Sequence, residues 1–304
     1  MKIPHIPVLY DEVIETFKEI KEGYIVDCTL GYGGHTEAIL TNNPNIKMIC
    51  CDQDLEAIEF SKKRLEKFEG RVVFEHARFS TVIQKYQNYD IRGILADIGV
   101  SSLQLDKKER GFGFESETLD MRMNPQNPLS AKEVINNYSQ AELEEILQEY
   151  GEMRDAKRVA SQIVQNRPFE SAKELSELMK KFGGKPKIHP ATLLFQAIRI
   201  EVNNELGELD ELLESIANAR LRDTLVAIIS FHSLEDRIVK RTFKAWSQSC
   251  ICPPEVMRCV CGNSHAIGKI VTKKPIVPSK KEQKSNPRSR SSKMRVFHIK
   301  SDDE

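Results

Sequence analysis

The stretch D-C-T-L-G-Y-G-G-H-T, Asp27 to Thr36, follows a short apolar run and places three glycines in four positions. Glycine loses more backbone freedom on ordering than any other residue, so such a cluster implies a use. A strand, a glycine-rich turn and a helix start together form a cradle: glycines admit a ligand close to the backbone, and the free N–H groups of the helix start favour its anionic parts. A dinucleotide fingerprint, G-x-G-x-x-G, fits at Gly31 and Gly33 but finds Thr36 in its third glycine position. The acid ahead of the glycines, Asp27, favours S-adenosylmethionine over NAD. Asp52 closes the next strand, placed to take two ribose hydroxyls as charge-assisted hydrogen bonds, a role that either cofactor asks for.

Outward from this turn the chain alternates strand and helix. Y-I-V-D, I-K-M-I-C-C-D, R-V-V-F-E-H-A and I-R-G-I-L-A-D read as strands, and Leu55, Ile58, Leu65 and Phe68 give a helical stripe between the second and third. Alternation at this spacing predicts a parallel sheet covered by helices, a Rossmann-like α/β fold. Past Asp106 the pattern changes. S-A-K-E at Ser130, S-Q-A-E at Ser139 and S-A-K-E at Ser171 are capping boxes, each opening a helix. The strand pattern resumes at Leu225 with L-V-A-I-I-S-F-H-S and closes with M-R-V-F-H-I. The expected organisation is therefore one discontinuous α/β domain, 1–105 and 204–304, interrupted by a helical domain, 106–203. Asp97, at the end of the fourth strand, is expected in the ligand crevice with the D-I-G-V-S-S-L-Q-L-D segment that it opens.

The 304 residues, 40% apolar and 30% charged, suit a soluble globular protein, and no apolar run approaches membrane-spanning length. The opening residues carry no apolar secretory core, so the expected location is the cytosol, away from membranes. Net charge is zero but uneven: Lys269 to Lys300 holds eleven Lys or Arg against one acid, Glu282. That stretch reads either as a polyanion contact or as a solvated, partly mobile terminus.

These blocks identify a resemblance. H-I-P-V-L at His5, the glycine turn, C-D-Q-D at Cys51, R-F-S at Arg78 and the Asp97 block match in order. So do R-G-F-G-F, L-D-M-R-M, Y-G-E, the run from His189 to Leu206, I-S-F-H-S-L-E-D-R-I-V-K from Ile229 and N-P-R-S-R-S-S-K-M-R from Asn286. The chain resembles the bacterial small-subunit ribosomal RNA cytosine-N4 methyltransferases of the MraW type along almost its whole length. The resemblance implies an S-adenosylmethionine-dependent methyltransferase domain with a helical insertion, acting on a cytosine in the decoding region of 16S rRNA, within the small ribosomal subunit. It implicates Gly33, Gly34, His35, Asp52, Phe79, Asp97 and Gln104 at the cofactor. Where that family usually has T-R-T-F-Q, this chain reads Thr192-Leu193-Leu194-Phe195-Gln196, so a contact from position 193 is in doubt.

The implied chemistry needs an acceptor for the amine protons, and Asp97 is the candidate catalytic residue. His232 is a second, for orienting the base or relaying a proton; a lone histidine is more often structural. DNA amino-methyltransferases use a D/N/S-P-P-aromatic loop where this chain has D-I-G-V, so stacking on the base falls to Phe112, Phe114 or Phe231, or else these pack in the core. Arg199, Arg288, Arg290, Lys293 and Arg295 are candidates for phosphate contact. The retained glycine turn, Asp52, Asp97 and Gln104 argue against the alternative of a non-catalytic RNA-binding or assembly factor.

Cys28, Cys50 and Cys51 read as buried strand residues. Cys250, Cys252, Cys259 and Cys261 supply four thiolates within twelve residues, enough for a structural zinc that clamps a loop outside the chemistry. Two C-x-C pairs are tighter than the usual C-x-x-C knuckle, which leaves a metal-free loop open.

Overall fold

The structure is a computed structural model that describes residues 7–182, 191–253, 255–256 and 258–301. His5 and His189, with the residues beside them in the H-I-P and H-P-A-T blocks, lie outside that range. Two compact units form, 1–99 with 207–304, and 100–206.

The first unit is built on seven strands: β1 (Tyr24–Asp27), β2 (Lys47–Asp52), β3 (Val72–His76), β4 (Ile91–Asp97), β5 (Thr224–Ser230), β6 (Gly268–Ile270) and β7 (Lys293–Ile299). Their order in the sheet is β3-β2-β1-β4-β5-β7-β6. The first five run parallel, and β7 lies antiparallel between β5 and β6. Apolar side chains leave both faces of each central strand, which is why the strands read as continuous apolar runs and not as alternating ones. On one face Ile25, Met48, Cys50, Leu95, Ala227, Ile229 and Val296 meet α1 (Tyr10–Phe17), α2 (Gly34–Asn42) and α3 (Leu55–Arg64). On the other, Val26, Ile49, Cys51, Ile94, Val226, Ile228 and Phe297 form a second core with α4 (Phe79–Tyr86) and with two later helices of residues 205–218 and 233–246. The three strand-associated cysteines are buried, as their neighbours require.

The second unit holds α5 (Ser102–Asp106), α6 (Ala131–Asn137), α7 (Gln140–Glu149), α8 (Ala156–Gln165), α9 (Ala172–Lys180) and α10 (Ala191–Asn203), with no strand among the described residues. All three capping boxes are formed. In each, a serine hydroxyl accepts the N–H three residues on, and the glutamate there accepts the serine's own N–H. Leu194, Ala197, Ile198 and Val202 of α10 join α6, α7, α8 and α9 in one core. Asn203 ties the loop before α6 to this core: its Oδ1 accepts the Met123 N–H, and its Nδ2 donates to the Met121 carbonyl, both at 2.8 Å.

The chain then re-enters the sheet through α11 (Glu205–Asn218). α12 (Ser233–Trp246) follows β5, and α13 (Lys280–Ser285) precedes β7. Leu55, the first member of the helical stripe, is 50% exposed, because it occupies the first position of α3 beyond the Asp54 cap and faces solvent. M-R-V-F-H-I forms the expected closing strand: β7 enters the sheet with Met294, Val296 and Phe297 buried, so of the two readings of the basic stretch a mobile terminus does not hold for this part. Among the described residues no helix is long and apolar enough to cross a membrane.

Ser171 is buried at the start of α9, where its Oγ accepts the Glu174 N–H at 3.2 Å. Ser171→Ala is expected to lower stability by about 1 kcal/mol, read as a reduced urea midpoint for the full chain.

Candidate active site

Strand order reverses between β1 and β4, and at such a switch point the crossovers leave toward opposite faces, opening a crevice beyond the strand ends. β1 sends the chain into the glycine turn. Gly31 takes φ +50°, and a methyl group there would meet only the Thr29 carbonyl oxygen at 4.0 Å, so the backbone faces open space. Gly33 caps α2 at φ +71°; a side chain there would press on Leu65 and Ser61. Gly34 serves a different contact, since its missing Cβ leaves room for the Pro7 ring. α3 braces the turn from behind: Ser61 Oγ donates to the Gly31 carbonyl at 2.8 Å, and Arg64 donates to the Tyr32 carbonyl at 3.0 Å.

Three carboxylates stand at the ends of β1, β2 and β4. Asp27 is fully buried; its oxygens accept the Thr36 hydroxyl at 2.6 Å and the Thr29 N–H at 3.2 Å. Burial pushes its carboxyl above the ordinary range, and the Thr36 hydrogen bond holds it back. Asp52 accepts the Gly31 N–H on one oxygen and the Asp54 N–H on the other, both at 2.8 Å. Burial pushes it up to about 6 against those two bonds. A carboxylate has about four acceptor positions, so Asp52 keeps two for a ligand while its plane is fixed by the backbone. Asp97 is held through its main chain, whose N–H donates to Thr29 Oγ1 at 2.7 Å and so ties β4 to β1. Its Oδ2 lies 3.5 Å from Nε2 of buried His35, and its Oδ1 is buried with no hydrogen-bond partner among the described residues.

Phe79 opens α4 beyond the end of β3, half-buried against the second core. Gln104 belongs to the second unit, where its Oε1 accepts the Ser101 N–H at 3.0 Å. His232 follows β5 as the residue before α12, with Nε2 3.0 Å from Glu235 Oε1. The buried Glu235 uses its other oxygen to accept the Phe231 and His232 N–H groups. Phe231 lies over Gly99, 3.2 Å from where a Cβ would stand, beside the end of β4. Sequence reading passed over Thr29 and Glu235. The H-x-x-E spacing at a helix start signals the second, whereas nothing local marks a threonine that receives an amide from a strand 68 residues on.

Several expected contacts are corrected. Arg295 is buried and forks onto Asp236, Nε to Oδ1 at 2.7 Å and Nη2 to Oδ2 at 3.3 Å; Lys293 Nζ reaches the same carboxylate at 3.4 Å. Burial raises the Asp236 carboxyl, but the Arg295 hydrogen bond and the two positive charges outweigh this and leave it below its usual range. Arg199 forks onto buried Glu205 at 2.7 and 2.9 Å. Both arginines are thus committed to internal carboxylates and are not free for phosphate. Phe112 packs in the helical core, and Phe114 meets Phe195 edge-on at 4.9 Å, so these two rings are core residues. Arg288 and Arg290 remain exposed on the short turn before β7. Two grooves of the first unit, about 450 and 570 Å³, lie beside α1 and the start of β5, away from the three carboxylates.

Residues 2–300 match the family model described as the MraW methylase family. The chain belongs to this family. It is similar to the ribosomal RNA small subunit methyltransferase H of Aliarcobacter butzleri, 65% identical over 297 residues that cover 98% of this chain and 99% of the relative. The protein of the same name from Sulfurimonas denitrificans is 62% identical over 304 residues, 98% and 99% of the two chains. The likeness therefore spans both units of this MraW-family chain, the glycine turn and the helical insertion alike.

Arg295→Ala would strand Asp236 without its fork partner. We expect a loss on the order of 3 kcal/mol in urea unfolding, with RNA affinity changing only through the fraction folded.

Proposed function

We propose that the chain transfers the methyl group of S-adenosylmethionine to the N4 amine of a cytosine in the decoding region of 16S rRNA, in the cytosol and on the small ribosomal subunit. The observation that carries this reading is the set of three carboxylates, Asp27, Asp52 and Asp97, at one switch point, with an acceptor of Asp97 left unpaired. A buried acceptor without a donor is costly, so its partner is sought in a ligand. Three acids suit a ligand that carries cationic sulfonium and ammonium groups, and they disfavour the pyrophosphate of NAD. Full-length membership in the MraW methylase family, and relatives named for small-subunit ribosomal RNA methylation, support the substrate.

The residues divide the work as follows. Asp52 would hold the ribose hydroxyls with its two remaining acceptor positions, beside the open Gly31 backbone, with Phe79 near the adenine. The cofactor, when bound, supplies an electrophilic methyl group on sulfur. Asp97 would accept a hydrogen bond from the cytosine amine, whose lone pair is drawn into the ring, and so raise its nucleophilicity and fix its line of approach. When the amine nitrogen takes the methyl group and S-adenosylhomocysteine is left, the surplus amine proton would pass by way of Asp97 to solvent. His232, at the end of β5 and beside Phe231, would orient the base, which must leave its stack to reach the site. β7 runs antiparallel to β5, with Lys293 paired to Ser230, so the turn bearing Arg288 and Arg290 sits at the crevice end of that strand pair. Those two arginines are the phosphate contacts we retain, and the helical insertion would read the folded RNA by shape.

The test is methyl incorporation from labelled S-adenosylmethionine into small subunits, free 16S rRNA and DNA, with the product nucleoside identified. N4-methylcytidine from subunits or rRNA is expected; cofactor binding without transfer to any substrate, or no cofactor binding, would favour the assembly-factor alternative. Asp97→Ala should lower turnover by more than about a hundredfold while RNA stays bound, with cofactor affinity measured on the same variant.

Asp52 also sets a pH dependence. Its carboxyl titrates above the ordinary value, so its contribution to stability is present at low pH and is lost as pH rises through about 6. A ligand that donates to the ionised form behaves in the opposite direction and gains as pH rises. S-adenosylhomocysteine affinity, followed by calorimetry, should fall by up to about tenfold per unit below pH 6, and Asp52→Asn should flatten that profile.

A further inference from the structure

Between α12 and β6 the chain makes an excursion, 247–267, with no buried residue and neither helix nor strand among those described. Its neck is closed by two main-chain bonds, His265 N–H to the Ser249 carbonyl at 3.0 Å and Ile267 N–H to the Trp246 carbonyl at 2.9 Å. A segment of this size without a core needs a staple to hold a fixed shape. Four sulfurs nevertheless converge in it. Sγ of Cys250 lies 3.6 Å from Cys259 and 3.8 Å from Cys261, and Cys259 lies 3.5 Å from Cys261. The Sγ of Cys252 joins them, all four lying within 4.8 Å of one another.

These separations discriminate between pairings. A disulfide brings sulfurs to about 2.05 Å, far closer than any pair here. Four thiolates about 2.3 Å from a central zinc stand at tetrahedral edges of about 3.8 Å. The loop also supplies donors to the sulfurs: Ile251 N–H points to Cys261 Sγ at 3.4 Å, and Val260 N–H to Cys252 Sγ at 3.3 Å. Such bonds disperse the charge of a four-thiolate site. Past Cys261 the backbone turns through Gly262 at φ +86° and Asn263 at φ +55°, and His265 reaches back to the Cys261 carbonyl at 2.8 Å. The chain thus wraps tightly around the last sulfur.

We propose that Cys250, Cys252, Cys259 and Cys261 bind one zinc ion as a closed four-thiolate site that folds the 247–267 excursion into a rigid knob on the α12–β6 edge. With all four positions filled by protein the ion has no open position for a substrate, so the site is structural. None of the four cysteines enters either core of the sheet, and of the described residues in 247–267 only Ile267, at the neck, packs against one, so losing the ion unfolds the knob and leaves the sheet intact.

The test uses the full chain, purified under reducing conditions with zinc in the medium. Elemental analysis is expected to find about one zinc per chain, released in step with titration of four thiols by a mercurial reagent. Cobalt exchanged into the protein should show thiolate charge-transfer bands and the visible bands of a tetrahedral ion. Cys252→Ser and Cys261→Ser should each lose the zinc, keep their far-ultraviolet dichroism, and become protease-sensitive within 247–267. A wild-type chain with no more zinc than a variant lacking all four cysteines would overturn the proposal. So would iron in place of zinc, or four cysteines recovered as two disulfides.

Discussion

A parallel sheet wound in both directions has one place where neighbouring strands send their chains to opposite faces, and here it lies between β1 and β4. No crossover covers that gap, so the strand ends stay open to a ligand whatever their side chains. What the sequence adds is a lock across the gap, the Asp97 amide donated to the Thr29 hydroxyl. That bond sets how far β4 projects beside the glycine turn, and with it where the Asp97 carboxylate stands. The rest of the site is arranged around these two ends.

The carboxylates are held by the backbone and by hydroxyls rather than by cations. Asp52 is fixed by two amides and Asp27 by a threonine and an amide. Guanidinium partners would have quenched the negative field, as Arg295 does for Asp236 and Arg199 for Glu205. Neutral donors fix the geometry and leave the charge to act on a ligand, at the cost of crowding buried acids together. The chain thus separates two uses of carboxylates: paired ones join elements, and unquenched ones line the crevice.

Much of this was legible in the sequence because the signals are local. Continuous apolar runs marked β1, β2, β4 and β5, three S-x-x-E boxes marked helix starts, and the glycine turn announced the crevice. What escaped was set by distant partners. Arg295 reads as one more charge in a basic stretch, yet its carboxylate lies 59 residues earlier on α12. Arg199 sits in the run from His189 on which the resemblance partly rests, but its fork partner, Glu205, is across a helix break. β6 spans three residues and pairs only with β7, too short for any periodicity to show. The aromatic residues stayed open between two readings for a related reason: a phenylalanine has the same letter in a core and over a base.

The place of β7 has a consequence for how the molecule is made. It is the last strand to be synthesised, yet it lies inside the sheet with β5 on one side and β6 on the other. Until it arrives β5 presents a bare edge, and β6 has no strand to pair with among the described residues. A growing chain therefore carries an apolar strand open to mispairing, beside a helical unit that has all of its own core. Assembly is thus ordered in time: the inserted helices can settle during elongation, whereas the sheet that frames the crevice closes only once β7 has been made.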